Sequence, residues 1–318
     1  MTLELTKANI FPTNYRGRLT EGITYDQRTN TLFWVDIIVG EVHRVQLDTE
    51  THDSLKWDSQ EESIGAIGLT TDPTILLVCG KYGIGYANFN THKIEYFFKY
   101  PHENSARLRS NDGIVDPWGN LWIGVMTDFP YGDVQKEGKL YRITPDLKID
   151  TMVDGAFIPN GLAFNERGDE FYWTDSLTYT IWKFDYDHET NTLSNRREFI
   201  NLKDFYPDCE SPEPDGFVMT NNGEIYTCVF STSTILHVDN QGKEVERIKL
   251  PAKRITCATI GGEKGDELFV TTAHLEHDNL QAVVDVSDTS SDLGGFIFRL
   301  KTGTDLNGQK KNIWGGKV

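Results

Sequence analysis

The chain has 318 residues, 38% hydrophobic and 25% charged, which is enough apolar material for a core and too much for a disordered chain. Its formal net charge of −17 argues against a nucleic-acid partner, because phosphate binding needs clustered Lys and Arg. No run approaches the ~18 apolar residues of a membrane span, and the N-terminal MTLELTKANIFP lacks a basic segment followed by an apolar one, so neither a membrane partner nor a signal peptide is expected. Cys79, Cys209, Cys228 and Cys257 show no CxxC or metal-ligand spacing, and reduced thiols in the cytosol are the simplest reading.

Taken in chain order, the elements form a repeat. Leu3-Glu4-Leu5-Thr6 reads as a short strand that closes a ring by joining the last unit, since open sheet edges invite aggregation. The first unit sets Gly22 ahead of Leu32-Phe33-Trp34-Val35-Asp36 and the alternating Glu41-Val42-His43-Arg44-Val45. The second has Gly65, the turn Asp72-Pro73 and Ile75-Leu76-Leu77-Val78-Cys79. The third has Gly113, Pro117-Trp118-Gly119-Asn120, Leu121-Trp122-Ile123-Gly124 and Lys139-Leu140-Tyr141-Arg142-Ile143. The fourth has Gly161, Arg167-Gly168-Asp169, Phe171-Tyr172-Trp173-Thr174-Asp175 and Thr180-Ile181-Trp182-Lys183-Phe184. The fifth has Gly216, Asn221-Asn222-Gly223 and Ile225-Tyr226-Thr227-Cys228-Val229. In the sixth, Cys257 stands near the glycine position, before Leu268-Phe269-Val270-Thr271-Thr272 and the terminal Gly295-Phe296-Ile297-Phe298-Arg299-Leu300.

Successive glycines lie 43, 48, 48 and 55 residues apart, the length of four short strands with their turns. The expectation is an all-β chain: one six-bladed β-propeller domain over residues 1–318, with four-stranded antiparallel blades. In such a ring the innermost strands line a channel, so residues beside equivalent glycines can meet although they are far apart in sequence. Those positions hold Glu21-Gly22, Asn111-Asp112-Gly113, Asn160-Gly161 and Asp215-Gly216, with Ile64-Gly65 in the second unit. Carboxylate and amide oxygens suit a hard cation such as Ca2+, Mg2+ or Mn2+. Asn-Gly and Asp-Gly are also ordinary turn dipeptides; their common phase with the repeat, at strand starts, is what favours a site.

From about residue 17 to 302 the motifs resemble the SMP-30/gluconolactonase/regucalcin family, sugar lactonase type. The resemblance rests on Glu21-Gly22-Ile23-Thr24-Tyr25-Asp26, Arg109-Ser110-Asn111-Asp112-Gly113, Pro159-Asn160-Gly161, Tyr172-Trp173-Thr174-Asp175-Ser176, Pro214-Asp215-Gly216 and Gly294-Gly295-Phe296-Ile297-Phe298-Arg299. It implies one divalent cation held by Glu21, Asn160 and Asp215, Ca2+ first, with Zn2+, Mn2+ or Mg2+ as alternatives. It also implies Arg109 and Asn111 as substrate contacts. After Met126 the chain reads Thr127-Asp128-Phe129-Pro130, so Asp128 alone stands where some sugar-lactonase members carry acidic residues that reach the substrate.

The function so implied is metal-dependent hydrolysis of a sugar-acid lactone, a small-molecule substrate, with Asp215 as general base. A phosphotriesterase of the same fold and a non-enzymatic calcium-binding propeller are the alternatives. No G-x-S-x-G serine-hydrolase signature is present, and His274 and His277 read as pocket rim or solvated loop.

Overall fold

Within the computed structural model, residues 2–58, 62–101, 106–279 and 281–318 are described. A lone N-terminal strand, β1 (Thr2–Glu4), precedes six sheets met in chain order. Blade one comprises β2 (Thr20–Asp26), β3 (Thr31–Asp36), β4 (Glu41–Gln46) and β5 (Thr51–Lys56); blade two comprises β6 (Ile64–Leu69), β7 (Ile75–Gly80), β8 (Gly83–Asn88) and β9 (Lys93–Lys99). Blade three is β10 (Leu108–Val115), β11 (Leu121–Thr127), β12 (Gly138–Ile143) and β13 (Ile149–Ala156). Blade four is β14 (Pro159–Phe164), β15 (Glu170–Asp175), β16 (Thr180–Asp187) and β17 (Thr192–Asn201). Blade five is β18 (Pro214–Met219), β19 (Ile225–Val229), β20 (Thr234–Val238) and β21 (Glu244–Lys249), and blade six is β22 (Arg254–Gly261), β23 (Glu267–Ala273) and β24 (Phe298–Lys301). Within each blade the strands pair antiparallel with their sequence neighbours.

The first strands of the six blades neighbour one another in a closed ring, β2 to β6, β10, β14, β18, β22 and back to β2. Second strands are buried on both faces, because each lies between two blades. That is why they read as continuous apolar or aromatic runs, and why Trp34, Trp122 and Trp173 all vanish from solvent. Outermost strands such as β9 alternate exposed and half-buried residues, the period-2 pattern of a sheet with one wet face. The predicted turns are turns, with Asn30, Gly168 and Gly223 in the left-handed conformation that tight hairpins need.

The ring is closed differently from the sequence expectation. β1 does not join the last blade; it pairs parallel with β21 of blade five, Leu3 opposite Ile248. Blade six has three strands, and its open edge is met by Ile10 and Phe11, through the bridge Ile10–Phe298 and the bond from Phe11 N to Ile297 O, 2.8 Å. Alternation identifies a strand but not its partner. The buried Phe11 decides this one, packing edge-on against Phe269 of β23 at 5.6 Å between ring centroids.

Candidate active site at one mouth of the channel

Every first strand carries a register irregularity near its start: between Glu21 and Thr24, Ile64 and Ala66, Ser110 and Gly113, Asn160 and Leu162, Pro214 and Phe217, and Ile255 and Ala258. An extra residue at such a point leaves the ladder, bends the strand and re-aims the side chains beside it. The in-phase glycines serve this bend. Gly22 takes a positive φ of 59°, and a Cβ on Gly161 would lie 2.8 Å from the carbonyl oxygen of Asp215 on the next blade.

Glu21, Asn160 and Asp215 are 5%, 5% and 6% exposed, so two acidic side chains sit where water hardly reaches. The Glu21 and Asp215 carboxyls, from blades one and five, hydrogen-bond to each other. Burial first, and then the charge of Asp112, push the Glu21 carboxyl up to about 8. Burial first, then Glu21 and Asp112, hold Asp215 well above the usual carboxylate range. Asp112 is itself raised to about 6 by burial.

Asn160 is oriented from both sides. Its Nδ2 donates to Ser176 Oγ (2.9 Å), whose hydroxyl donates to the carbonyl of Pro214 (2.7 Å), next to Asp215. Its Oδ1 accepts from Asn111 Nδ2 (2.8 Å), which also reaches the Pro159 carbonyl (2.9 Å). Arg109, 3% exposed, donates from Nη1 to Asn111 Oδ1 (2.8 Å), stands with Nε 3.7 Å from Asp128 Oδ1, and lies 4.8 Å above the Phe129 ring. Arg109 Nε is buried without a hydrogen-bond partner. All six predicted site residues therefore belong to one neighbourhood.

Strand register corrects one equivalence. Glu21 faces Val35 and Asn160 faces Thr174, each one residue before the end of the second strand; in blade three that place, opposite Met126, belongs to Arg109 and not to Asn111. Blade three thus offers a cation at this position in place of a fourth oxygen, and Asn111 lies within the bulge that follows.

Two site residues escaped the sequence reading. Lys81, itself buried, donates to Asp128 Oδ2 at 2.7 Å, and Ser176 fixes Asn160 as above. A signal for both exists: the first residue past each second strand is Ile37, Lys81, Asp128, Ser176, Phe230 and His274 in turn, one position per blade around the mouth. Above them His277, 8% exposed, is a roof residue and not a solvated one. It touches the Phe129 and Phe230 rings, each with centroids 5.9 Å away, and is hydrogen-bonded by Arg254.

The donor set suits a hard cation. Burial holds the two touching carboxyls in their protonated form, and with an amide oxygen beside them they form a donor set that would ionise only against a cation. Burying unpaired charge costs several kcal/mol per ion, which a divalent cation among these oxygens would offset. Among the described residues no three His, Cys, Asp or Glu side chains converge on one point; the candidate set is two carboxylates and one amide.

The other mouth is strapped by the C-terminal segment. Gln309 N bonds to Met219 O (3.2 Å), its Nε2 to Phe164 O (3.0 Å), Asn312 Nδ2 to Val115 O (2.9 Å) and Trp314 N to Leu69 O (2.8 Å), so one segment touches blades five, four, three and two. It crosses a cavity of about 1610 Å³. Among the described residues no helix is long and apolar enough to cross a membrane.

Comparison with known proteins agrees with this architecture. The chain is 63% identical, over the full length of both, to Cell growth-regulated gene 1 protein of Candida albicans. It is 29% identical to Pentonolactonase XacC of Haloferax volcanii, covering 89% of this chain and 90% of that one. Among solved structures, a calcium-binding regucalcin from Agrobacterium tumefaciens superposes with a TM-score of 0.83 at 21% identity, covering 99% of each chain. A luciferin-regenerating enzyme gives 0.81 at 26% identity, covering 98% of this chain and 99% of that one. Residues 19–274 match the family model SMP-30/Gluconolactonase/LRE-like region, and the chain belongs to that family.

Proposed function

We propose that the protein is a metal-dependent hydrolase that opens the lactone ring of a sugar acid, with Glu21, Asn160 and Asp215 holding one divalent cation, Ca2+ first. The observation that carries this reading is the contact of two buried carboxyls beside an oriented amide, next to an arginine with a spare buried donor. The pentonolactonase relative and a 29% identical Putative sugar lactone lactonase YvrE of Bacillus subtilis support the substrate class.

A divalent cation so held supplies Lewis acidity and favours ionised carboxylates around it. The chain's own groups do the rest. Asp215 takes a proton from the attacking water and returns it to the ring oxygen that leaves. Arg109 offers Nε to a substrate carbonyl or hydroxyl oxygen, with charge-assisted strength. Asn111 holds both Asn160 Oδ1 and the Arg109 guanidinium in place. Asp128, fixed by Lys81, accepts from a sugar hydroxyl. The roof of Phe129, His277 and Phe230 limits water at the site. The cytosol is the proposed location, and all four cysteines are free thiols, as a reducing compartment requires.

The test is proton release from glucono-, galactono-, arabinono- and rhamnonolactones, with EDTA and cation add-back. Turnover that EDTA removes and Ca2+ or Mn2+ restores is expected, falling on the order of 10²–10⁴-fold in Asp215→Asn. Activity that survives both EDTA and Asp215→Asn would sink the mechanism. Hydrolysis of an aryl phosphotriester in preference to every lactone would move the reading to the phosphotriesterase alternative, and saturable cation binding with no turnover of either to the calcium-binding one.

A further inference from the structure

Two of the three proposed ligands are approached by backbone that is held in the same way. Asp36 ends β3, and its carboxylate accepts from the amides of Arg18 (2.7 Å) and Leu19 (3.1 Å), the third and second residues before Glu21. Asp175 ends β15, and its carboxylate accepts from the amides of Phe157 (3.2 Å) and Ile158 (3.0 Å), the third and second residues before Asn160. Across the ladder each aspartate faces the residue just before the ligand, Thr20 and Pro159. The residue after each aspartate repeats the pattern too, Ile37 N bonding Leu19 O (3.0 Å) and Ser176 N bonding Ile158 O (3.1 Å). Both carboxylates are buried, at 0% and 3% exposure.

The fold does not impose this brace. Blade five keeps the last bond, Phe230 N to Glu213 O at 2.9 Å, but ends its second strand in Val229. There Pro212, three residues before Asp215, has no N–H to satisfy, and Glu213 N bonds Ser211 O instead (3.1 Å). A deeply buried carboxylate is a costly partner for two amides, and among the described second strands the last residue is an aspartate in blades one and four, where two free N–H groups lead into a proposed ligand. Backbone fixed by charge-assisted bonds is what a preorganised ligand needs.

We propose that Asp36 and Asp175 are positioning residues, each fixing through two backbone amides the ligand that follows it, Glu21 and Asn160. The proposal rests on those ligands holding the cation. The test is calorimetric titration with Ca2+ of wild type, Asp36→Asn, Asp175→Asn and Asp116→Asn. Asp116 is an equally buried carboxylate that accepts from the amides of Trp118 and Asn120 in a turn of blade three, and it serves as the structural control. All three variants should melt lower than wild type. Only Asp36→Asn and Asp175→Asn should lose affinity, by about tenfold or more, with Asp116→Asn unchanged.

Wild-type affinity in both Asp36→Asn and Asp175→Asn, or an equal loss in Asp116→Asn, overturns the proposal. If wild type shows no saturable binding, or binding that Asp215→Asn leaves intact, it is the ligand assignment that fails, and the two failures are distinct. A measurement on wild type needs no folded variant: on adding Ca2+, exchange protection should rise at amides 18, 19, 157 and 158 above any change at 118 and 120. Equal protection at both sets argues the same way as equal affinities.

Discussion

Gly161 shows how much one hydrogen atom can decide here. Its missing side chain leaves room for the Phe217 ring and the Asp215 carbonyl of the next blade. Gly161→Ala should cost about 1–3 kcal/mol, the usual range for overpacking a core, read as a lower urea midpoint; an unchanged midpoint would show that the blades can part without loss. His277 makes a different prediction. Burial, then the charge of Arg254, lower its imidazole pKa from 6.5 to about 4, so the unfolded chain takes up a proton at a higher pH than the folded one. Its contribution to stability is present above pH 6.5 and lost as pH falls toward 4. Between pH 7.5 and 5 the melting temperature of wild type should therefore fall further than that of His277→Phe, and parallel curves would refute the assignment. Glu21, Asn160 and Asp215 were legible in the sequence because each precedes a glycine at equivalent phase. Lys81 was not, since a lone lysine after an apolar strand looks like a solvated strand end until its blade is laid over the others.

Repetition also explains which elements could be read. Second strands carry dense aromatic or β-branched runs because both faces are buried, and that signal survives without knowledge of partners. Segments that cross between blades carry no period. β1 was visible as a strand, yet its attachment to blade five was not, and its residues are exposed throughout. Deleting residues 1–8 should therefore cost little beyond burial of Leu5, whereas deletion through Phe11 should lower the melting temperature by many degrees, because it strips the edge of blade six. Equal losses from the two deletions would mean that β1, not Phe11, closes the ring. The C-terminal strap bonds to four blades through irregularly spaced bonds and isolated bridges, so alternation could not announce it. Trp314 anchors it, fully buried among residues of blades two and three. Trp314→Ala should cost about 3–5 kcal/mol in chemical denaturation, and a loss below 1 kcal/mol would show the strap to be dispensable.

At the scale of the whole molecule, a net charge of −17 and a channel with carboxyls at one mouth both predict that cations stabilise the fold, for different reasons. Diffuse self-repulsion is relieved by any salt and does not saturate at low concentration. A cation bound only to the folded state stabilises by mass action, by about 2.7 kcal/mol when present at 100 times its Kd. The two are separated by melting wild type and the double variant Glu21→Gln/Asp215→Asn in NaCl and in CaCl2 at matched ionic strength. In NaCl both proteins should rise together. In CaCl2 wild type should rise further, by an increment that sets in near the Kd and then grows with the logarithm of free Ca2+, while the double variant follows its NaCl curve. Burial raises both carboxyl pKa values, so folding without cation must protonate groups that are ionised in the unfolded chain; neutral amides avoid that cost, and the cation-free double variant should be more stable than cation-free wild type. A double variant that is less stable without cation and still gains the full CaCl2 increment would place the cation elsewhere and leave Glu21 and Asp215 a purely structural pair.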